Sequence, residues 1–476
     1  MLAAGCDTSR ARPSPRLILP TDPAVARREA ERRVRGAATV HRKLRSVVGD
    51  VDLGGRVVRT WSYDGTIPAP VLRARIGDVL DVDLGNDLPE STTIHWHGIE
   101  LRNDMDGVHH LTQAGVDPGR HFRYRFVVDA PGTYWYHSHV GTQADRGLYA
   151  PIVVEDPAAA PVDVEHVLVL DDWIDGLGAT PDRIAELLEC RTDCTPSPFI
   201  GDFRSDALGG AVGRIAYPGY LVNGKLPSDP PTFTVAPGAR VRLRIVNAGA
   251  ETPFRFAIGG HRLLVTHSDG YAVRPVEVDA LILGMGERYD VELTAASGVF
   301  PIAVVPEGKP GFAAARLRTT DVAPTATAPP TDARPAELDG RLLTYRDLEA
   351  DPAVALDFVR PDRRYDVSLT GRDANYHWGI DGEPYGHNGS IDVRPGERAR
   401  VRVTNTTNHV HPMHLHGHTF RLGGARLGPR KDTVLVQPGE TFDFDVLCDN
   451  PGQWMLHCHN GYHLDVGMAI PFRYVR

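Results

Sequence analysis

Three stretches of the chain alternate apolar and polar residues in the same way. Each begins at a glycine, continues as an alternating run and ends at an asparagine nine residues later; they are Gly77–Asn86, Gly238–Asn247 and Gly396–Asn405. A period of two places the apolar side chains on one face of a strand and the charged ones in solvent. The repeat therefore predicts an all-β chain of three related Greek-key β-sandwich domains in tandem.

Proline- and alanine-rich stretches mark the expected domain boundaries. They lie at residues 155–162 and 320–338, and an Arg-, Ala- and Pro-rich segment covers residues 7 to about 45. Such composition is typical of linkers and tethers. The sequence thus predicts an N-terminal tether over residues 1–45, domain 1 over 46–157, domain 2 over 158–325 and domain 3 over 326–476.

The composition agrees with short strands and argues against some partners. The 48 glycines and 38 prolines favour strands joined by turns, and the net charge of −9 argues against a nucleic-acid partner. No run approaches the roughly 18 apolar residues of a membrane span. Cys190 and Cys194 have a spacing that would allow a small disulfide or leave two surface thiols.

The first residues bear on localisation. The run Leu2-Ala3-Ala4-Gly5-Cys6 resembles the end of a bacterial lipoprotein signal, in which the cysteine is lipidated. A chance Ala-Gly-Cys sequence is the alternative. From the resemblance we expect an exported protein of the cell envelope or the extracellular space, attached to a membrane through Cys6.

Histidine pairs occupy equivalent places in domains 1 and 3. The pairs are His95/His97 and His137/His139 in domain 1, and His414/His416 and His457/His459 in domain 3. The first pair of each domain stands nine and eleven residues after the repeat asparagine. At these offsets domain 2 has Phe256 and Ile258, so the sequence predicts a site shared by domains 1 and 3 alone.

These pairs have the spacing of metal ligands. Residues i and i+2 of a strand point to the same side, so each His-x-His pair presents two imidazoles to a metal. Because the pairs are equivalent in the two domains, we expect domains 1 and 3 to face each other with the metal ions between them. Imidazole-rich, redox-active sites favour copper, zinc or iron.

Domain 3 carries a further set of ligand-type residues. They are His411, Cys458, His463 and Met468, whose register equivalents in domain 1 are Thr92, Ser138, Gln143 and Leu148. Two histidines, one cysteine and a weak methionine form the blue-copper set, which serves electron transfer. Cys458 lies between His457 and His459 with its side chain on the opposite face of the strand. The sequence therefore predicts an electron path one residue long between the two sites.

Together these motifs resemble the signature of the three-domain multicopper oxidases, the laccase family. The resemblance covers roughly residues 50 to 476 and rests on His95-Trp96-His97-Gly98, His137-Ser138-His139, His411-Pro412-Met413-His414-Leu415-His416 and His457-Cys458-His459 with His463 and Met468. It implies three cupredoxin domains and four copper ions that couple oxidation of a donor to reduction of dioxygen to water.

The resemblance also implies a set of ligands for each copper ion. His411, Cys458 and His463, with Met468 as axial ligand, would hold the type 1 copper. The type 2 copper would be held by His95 and His414. One type 3 copper would be held by His97, His137 and His459, and the other by His139, His416 and His457.

Members of this family place an acidic residue near the copper cluster to relay protons to oxygen, a role that suits a carboxylate. Asp106, nine residues after His97, matches such an acid, although an aspartate before Gly107 is equally typical of a turn. Some bacterial members carry a glutamate immediately before the histidine that corresponds to His463.

This chain has Tyr462 at that position, so a second proton donor must lie elsewhere. Asp465 is the expected substitute, although its register equivalent Asp145 in domain 1 indicates a role in the fold. The residues predicted to act in catalysis are therefore Asp106, Asp465 and Cys458.

The sequence constrains the electron donor least. A methionine axial ligand favours easily oxidised donors such as electron-rich phenols or metal ions. The six methionines form no methionine-rich insertion of the kind that cuprous oxidases carry. Phenols and aromatic amines therefore rank above cuprous ion, whose oxidation in copper tolerance is the alternative. A copper nitrite reductase would not need four histidine pairs, and a non-catalytic cupredoxin scaffold would have lost ligands, so both rank lower.

Overall fold

The chain folds into three β-sandwiches in succession, as the computed structural model shows. The structure describes residues 16–157, 159–190, 196–323, 325–357, 360–372, 376–423 and 427–476. Cys6 and Cys194 lie outside these ranges, and Cys190 is disulfide-bonded. In the described part of the chain no helix is both long and apolar enough to cross a membrane.

The first sandwich packs two four-stranded sheets, with strand orders β2-β1-β4-β6 and β3-β8-β7-β5. Helix α1 (Pro23–Arg32) precedes it. Its strands are β1 (Thr39–Asp52), β2 (Val57–Tyr63), β3 (Leu72–Arg75), β4 (Val79–Asn86), β5 (His95–His97), β6 (His121–Val127), β7 (Gly132–His137) and β8 (Tyr149–Glu155). Strands β1 and β4 run parallel and their other neighbours antiparallel, which requires connections that cross between the sheets.

The second sandwich has a six-stranded sheet, β12-β9-β14-β19-β16-β17, and a five-stranded sheet, β13-β21-β20-β15-β18; β10 and β11 form a separate hairpin. Helix α2 (Pro181–Glu189) is capped by Thr180. The strands are β9 (Val164–Trp173), β10 (Ile200–Ser205), β11 (Gly210–Ile215), β12 (Gly219–Val222), β13 (Thr232–Val235), β14 (Arg240–Asn247), β15 (Phe254–Ile258), β16 (Leu263–Ser268), β17 (Tyr271–Val278), β18 (Ala280–Leu283), β19 (Arg288–Thr294), β20 (Val299–Pro306) and β21 (Ala313–Thr319).

The third sandwich repeats the plan with sheets β23-β22-β25-β30-β27-β28 and β24-β32-β31-β26-β29. Its elements are β22 (Arg363–Arg372), β23 (His377–Ile380), β24 (Ile391–Val393), β25 (Arg398–Asn405), β26 (His411–Leu415), β27 (Phe420–Leu422), β28 (Arg430–Lys431), β29 (Thr433–Val436), β30 (Thr441–Leu447), β31 (Gln453–Cys458), helix α3 (Gly461–Asp465) and β32 (Ala469–Tyr474). Short 3-10 turns occupy Asn103–Met105, Ala144–Arg146, Ala336–Asp339 and Tyr345–Asp347. The predicted all-β, three-sandwich fold is confirmed.

The repeat asparagines make the same hydrogen bonds in all three sandwiches. Asn86 Nδ2 donates to two backbone oxygens, each at 2.7 Å, and Asn405 Nδ2 does so at 2.6 and 3.0 Å. Asn247 Nδ2 donates to Thr252 O at 3.0 Å and to Leu283 O at 2.9 Å. Each asparagine ends β4, β14 or β25 and fixes the chain that crosses to the other sheet. The sequence repeat thus marks the residue that holds the two sheets in register.

The N-terminal segment differs from the tether expected over residues 7–45. Helix α1 and the first part of β1 lie within it, and Asp22 caps α1 by accepting from the Ala24 amide at 3.0 Å. Gln453 Nε2 donates to Ile18 O at 2.7 Å across 435 positions of sequence. The contacts that order this segment involve residues at the far end of the chain, so its local composition does not predict them.

We expect Asn247→Asp to destabilise the second sandwich without altering any candidate ligand. The substitution keeps the Oδ1 acceptor but removes both Nδ2 donors, which leaves two buried carbonyls unpaired at a cost of about 1 to 3 kcal/mol each. Urea unfolding of the protein measures the loss. Asp202→Asn, the reverse exchange at an exposed position of the same sandwich, is the control and should change stability little. Equal unfolding curves for the two variants would contradict this role of the repeat asparagine.

Candidate metal centres

The histidine pairs lie on neighbouring antiparallel strands. His95 pairs with His137 across β5 and β7, and His414 pairs with His457 across β26 and β31. The second histidine of each pair stands two residues further along, where the pleat returns to the same face. In the second sandwich β15 and β20 take these places, and Phe256 fills the position of a histidine. The register inferred from the sequence repeat is the register of the structure.

All eight paired histidines converge where the first and third sandwiches meet. Donor atoms lie within 4.8 Å of one another in three groups, which are His95, His97 and His414; His97, His137 and His459; and His139, His416 and His457. The Nε2 atoms of His95 and His414 are 3.4 Å apart, and those of His416 and His457 are 2.9 Å apart. Each group draws on both sandwiches, so the cluster exists only when the two are packed together.

Several of these imidazoles leave one ring nitrogen without a protein partner. The Nδ1 atoms of His137 and His457 lie 2.8 and 2.9 Å from backbone oxygens, which orients the rings. The Nε2 atoms of His137 and His139 and the Nδ1 atom of His97 are buried and have no hydrogen-bond partner among the described residues. Buried polar atoms are rarely left unpaired. These nitrogens therefore fit metal ions.

Burial keeps the imidazoles neutral. Removal from water, reinforced by neighbouring imidazoles, lowers the pKa of His139 to about 3. The same causes hold the pKa values of other rings well below their usual range, namely those of His97, His137, His416, His457, His459 and His463. Neutral imidazole is the form that binds a metal ion.

A second cluster lies in the third sandwich alone. Cys458 Sγ is 3.6 Å from His411 Nδ1 and 3.7 Å from His463 Nδ1, and the two nitrogens are 3.2 Å apart. All three side chains are buried, and the Trp378 ring packs over His463 with centroids 4.3 Å apart. Two imidazole nitrogens and one thiol in a triangle suit a trigonal copper site.

Helix α3 positions the last residues of this cluster. Asn460 caps the helix by accepting from the amides of Tyr462 and His463 at 3.1 and 3.2 Å, which turns His463 towards Cys458. Met468 follows the helix, is fully buried, and its carbonyl accepts from the Cys458 amide at 3.0 Å. The structure thus brings all four residues of the sequence-predicted set into one region.

Cys458 connects the two clusters. Its Sγ atom faces His411 and His463, while the side chains of His457 and His459 on either side of it belong to the interdomain cluster. Alternation along β31 is the cause, since successive side chains point to opposite faces. A covalent path of one residue therefore joins the two sites.

Asp106 is buried against the interdomain cluster. Its Oδ2 atom lies 3.0 Å from His416 Nδ1, its Oδ1 atom lies 3.2 Å from His95 Nδ1, and its backbone oxygen lies 3.0 Å from that same nitrogen. Gly107 follows with a positive φ of 85°, and a Cβ there would meet the Ile94 carbonyl at 1.8 Å. The turn expected of an Asp-Gly pair is thus present and places a carboxylate behind two ligand rings.

Asp465 lies at the outer edge of the site. It is exposed at the end of α3, and among the described residues it has no hydrogen bond to a histidine of either cluster. Burial of part of the side chain and the charges of Glu189 and Asp182 raise its pKa above the usual range. Its part as a second proton donor stays a prediction.

Two further residues hold the cluster, and sequence reasoning missed both. Asp432 lies 3.1 Å from His97 Nε2, and its backbone oxygen lies 3.0 Å from His414 Nδ1. Arg288 of the second sandwich donates two hydrogen bonds to the Asp432 carboxylate, at 2.7 and 2.6 Å. Burial raises the pKa of Asp432, but the Arg288 guanidinium outweighs it and keeps that pKa well below the usual range. No motif or spacing in the sequence connects positions 288 and 432.

A cavity of about 580 Å³ opens beside the interdomain cluster. Its walls include His137, His139, His457 and His459, and it continues past α3 towards His109 and His110. The rings of His109 and His110 stack with their centroids 3.6 Å apart. The cavity gives small molecules a route to the histidines.

Three sandwiches, an interdomain histidine cluster and a separate His₂Cys site together define a copper-dependent oxidase. Family models described as multicopper oxidase match residues 48–159, 204–322 and 359–476. The chain therefore belongs to the multicopper oxidase family, whose members are oxidoreductases with copper cofactors and dioxygen as acceptor.

Individual relatives agree with this assignment. The chain is 46% identical over 433 residues to a multicopper oxidase of Mycobacterium tuberculosis, covering 89% of this chain and 85% of the relative. It is 29% identical to a copper resistance protein A homologue of Pseudomonas syringae, covering 90% of each. Among solved structures, a laccase from Botrytis aclada superposes with a TM-score of 0.76 at 25% identity, covering 92% of this chain and 88% of the other.

We expect Arg288→Met to destabilise the metal-free protein by about 3 to 5 kcal/mol, because it leaves Asp432 as an uncompensated buried charge. Urea unfolding of the metal-free protein measures this loss. The variant purified with copper should also contain less copper per chain. Arg262→Gln is the matched control, since Arg262 and Glu277 form an exposed pair 2.7 Å apart in the same sandwich and such pairs contribute little.

The double variant Arg288→Met/Asp432→Asn separates the charge effect from a packing effect. Removing both charges should recover part of the stability lost in the single variant. If the double variant is no more stable than the single one, the ion pair is not what holds Asp432 in place.

Proposed function

We propose that this multicopper oxidase takes electrons one at a time from phenolic and other aromatic donors at a type 1 copper, and that dioxygen is reduced to water at a trinuclear copper cluster. The observation that carries the proposal is the division of the ligand-type residues into two buried clusters joined through Cys458. Dioxygen needs four electrons and a donor such as a phenol gives one, so separate donor and acceptor sites suit the reaction.

We assign four copper ions to the residues present. The type 1 ion would be held by His411, Cys458 and His463 with Met468 as a further, weak ligand, and the type 2 ion by His95 and His414. The two type 3 ions would be held by His97, His137 and His459 and by His139, His416 and His457. The proximity of these donor atoms and the unpaired ring nitrogens support the assignment. Copper would supply the one-electron redox chemistry at both sites.

The protein's own groups would prepare these sites. Asp106 and Asp432 hold the ring nitrogens that face away from the cluster, which fixes the orientation and tautomer of the ligands. Asp106 is also placed to exchange protons with the cluster, because a carboxylate can both accept and donate. The intact, buried ligand set weighs against a non-catalytic scaffold.

The donor class rests on the sequence. A type 1 site with a methionine axial ligand suits easily oxidised phenols and aromatic amines. Oxidation of cuprous ion is the less favoured alternative, because the chain has only six methionines and no methionine-rich insertion. The rates of oxygen uptake, measured first with a phenol and then with cuprous ion, would show which of these two donors the enzyme oxidises faster.

We also propose that the protein is exported and attached to a membrane by a lipid on Cys6. The Leu2–Cys6 run supports this. Expressed in a bacterium, the protein should partition into detergent with the membrane fraction, and Cys6→Ser should move it to the aqueous phase. An unchanged distribution would argue against lipidation.

Cys458→Ser should abolish the intense blue thiolate absorption near roughly 600 nm and stop oxygen uptake with phenols. It removes the thiolate but leaves the eight paired histidines intact, so copper should fall from four ions per chain to three. Absorption, metal analysis and an oxygen electrode measure the three effects.

Cys448→Ser is the matched control for this substitution. Cys448 is the other buried free cysteine among the described residues, and it lies outside both clusters. Its variant should keep the blue colour and the activity. A Cys458→Ser protein that consumed oxygen at the normal rate would refute the proposed electron path.

A further inference from the structure

A buried carboxyl group lines the cavity beside the histidine cluster and has no part in the function described so far. Asp145 belongs to the 3-10 turn Ala144–Arg146 of the first sandwich and is 4% exposed. It shares the cavity wall with His137, His139 and His457. Asp106 is not among the described residues of that wall, so the two acids approach the cluster from different sides.

The two carboxyl oxygens of Asp145 have different surroundings. Oδ2 accepts from the Tyr462 hydroxyl at 2.5 Å and from the Tyr217 hydroxyl at 3.3 Å. Oδ1 is buried and has no hydrogen-bond partner among the described residues. Because two hydroxyls already donate to Oδ2, an acid proton belongs on Oδ1. A buried O–H group without an acceptor is costly, so water in the cavity, near the histidine nitrogens of its wall, is its natural partner.

The charges around Asp145 favour the protonated form. Asp171 and Asp172 of β9 face it, together with the phenols of Tyr217 and Tyr462. Burial, followed by the Asp172 charge, raises the pKa of Asp145 well above its usual range, and the two tyrosine hydrogen bonds offset only part of this.

Lys309, a buried cation whose charge acts on Asp172, is already paired. Lys309 Nζ lies 2.8 Å from Glu251 Oε2, and both side chains are fully buried. No salt bridge joins Asp145 to a cation among the described residues, so its protonated form persists at a pH where an exposed aspartate has lost its proton.

We propose that Asp145, positioned by Tyr462 and Tyr217, is a proton donor for dioxygen reduction and delivers its Oδ1 proton through cavity water to the oxygen side of the histidine cluster. This inference rests on the proposed function. Reduction of dioxygen to two waters consumes four electrons from the donor and four protons. Asp145 gives up one proton to a cavity water and regains one from solvent through the same cavity.

The test compares Asp145→Asn, which keeps the size and loses the proton, with Glu29→Gln. Glu29 is also a buried carboxyl group with one oxygen that has no hydrogen-bond partner among the described residues; its other oxygen accepts from the Val127 amide at 2.9 Å, and it does not line the cavity. Asp145→Asn should lower the oxygen-consumption rate at saturating phenol by about 100-fold. The blue absorption, the copper content and the KM for the phenol should stay unchanged, and Glu29→Gln should keep a rate close to that of the parent protein.

The pH profile separates a proton donor from a structural residue. In the parent protein the rate should fall as the pH rises through the raised pKa of Asp145, and Asp145→Asn should lack that fall. Asp145→Glu should restore part of the rate. If Asp145→Asn turns over normally, or if it loses copper and rate to the same extent as Glu29→Gln, the proposal is wrong.

Infrared spectroscopy of the metal-free protein tests the proton directly. Other buried carboxyl groups, among them Asp171, also have raised pKa values, so the readout is the difference spectrum between the parent protein and Asp145→Asn near neutral pH. It should contain the carbonyl stretch of one protonated carboxyl group. Absence of that band from the difference spectrum would overturn the inference even in an active oxidase. A parent protein that gives the band but takes up no oxygen with any donor would instead refute the proposed function.

Discussion

The Arg288–Asp432 ion pair joins all three sandwiches at the histidine cluster. Arg288 belongs to the second sandwich, Asp432 to the third, and the carboxylate lies against His97 of the first. Arg288 Nε also donates to Thr133 O of the first sandwich at 3.1 Å. A buried ion pair is weak evidence of net stability, but breaking one partner is strongly destabilising. The second sandwich contributes no paired histidine to the cluster. It supplies the cation that stabilises the ionised Asp432 carboxylate behind the rings of His97 and His414.

The three sandwiches share one backbone plan but differ in function. The repeat asparagines fix the same crossing of sheets in each copy, so the strand positions beyond them are equivalent. The first and third copies place histidines there, and the second places Phe256, which packs in the core. Functional difference is therefore concentrated in side chains on β5, β7, β26 and β31 and in the residues that directly follow these strands, while the backbone plan is shared. The His₂Cys site needs no second domain, since its three donors all lie in the third sandwich.

The sequence predicted the fold class, the repeat and the convergence of the paired histidines, because each depends on local periodicity and register. His95 and His414 could be placed by counting from an asparagine. Arg288 and Asp432 could not, because their pairing depends on how the second sandwich packs against the others. The same limit applies at the N-terminus, where contacts of Ile18 with the last two strands order a segment that composition describes as a tether. The Asp145–Tyr462 hydrogen bond likewise joins residues 317 positions apart.

The two buried acids near the cluster differ in what their surroundings allow. Asp106 lies within 3.2 Å of two ligand-ring nitrogens, so moving a proton at this carboxylate also disturbs the orientation of those rings. Asp145 contacts tyrosine hydroxyls instead, and its free oxygen can change protonation without altering any contact to a histidine. Asp106 therefore orients two ligand rings in addition to any proton that it exchanges, whereas the contacts of Asp145 tie it to no ring. On the proposal made above, the proton that Asp145 gives up can be replaced without disturbing a ligand.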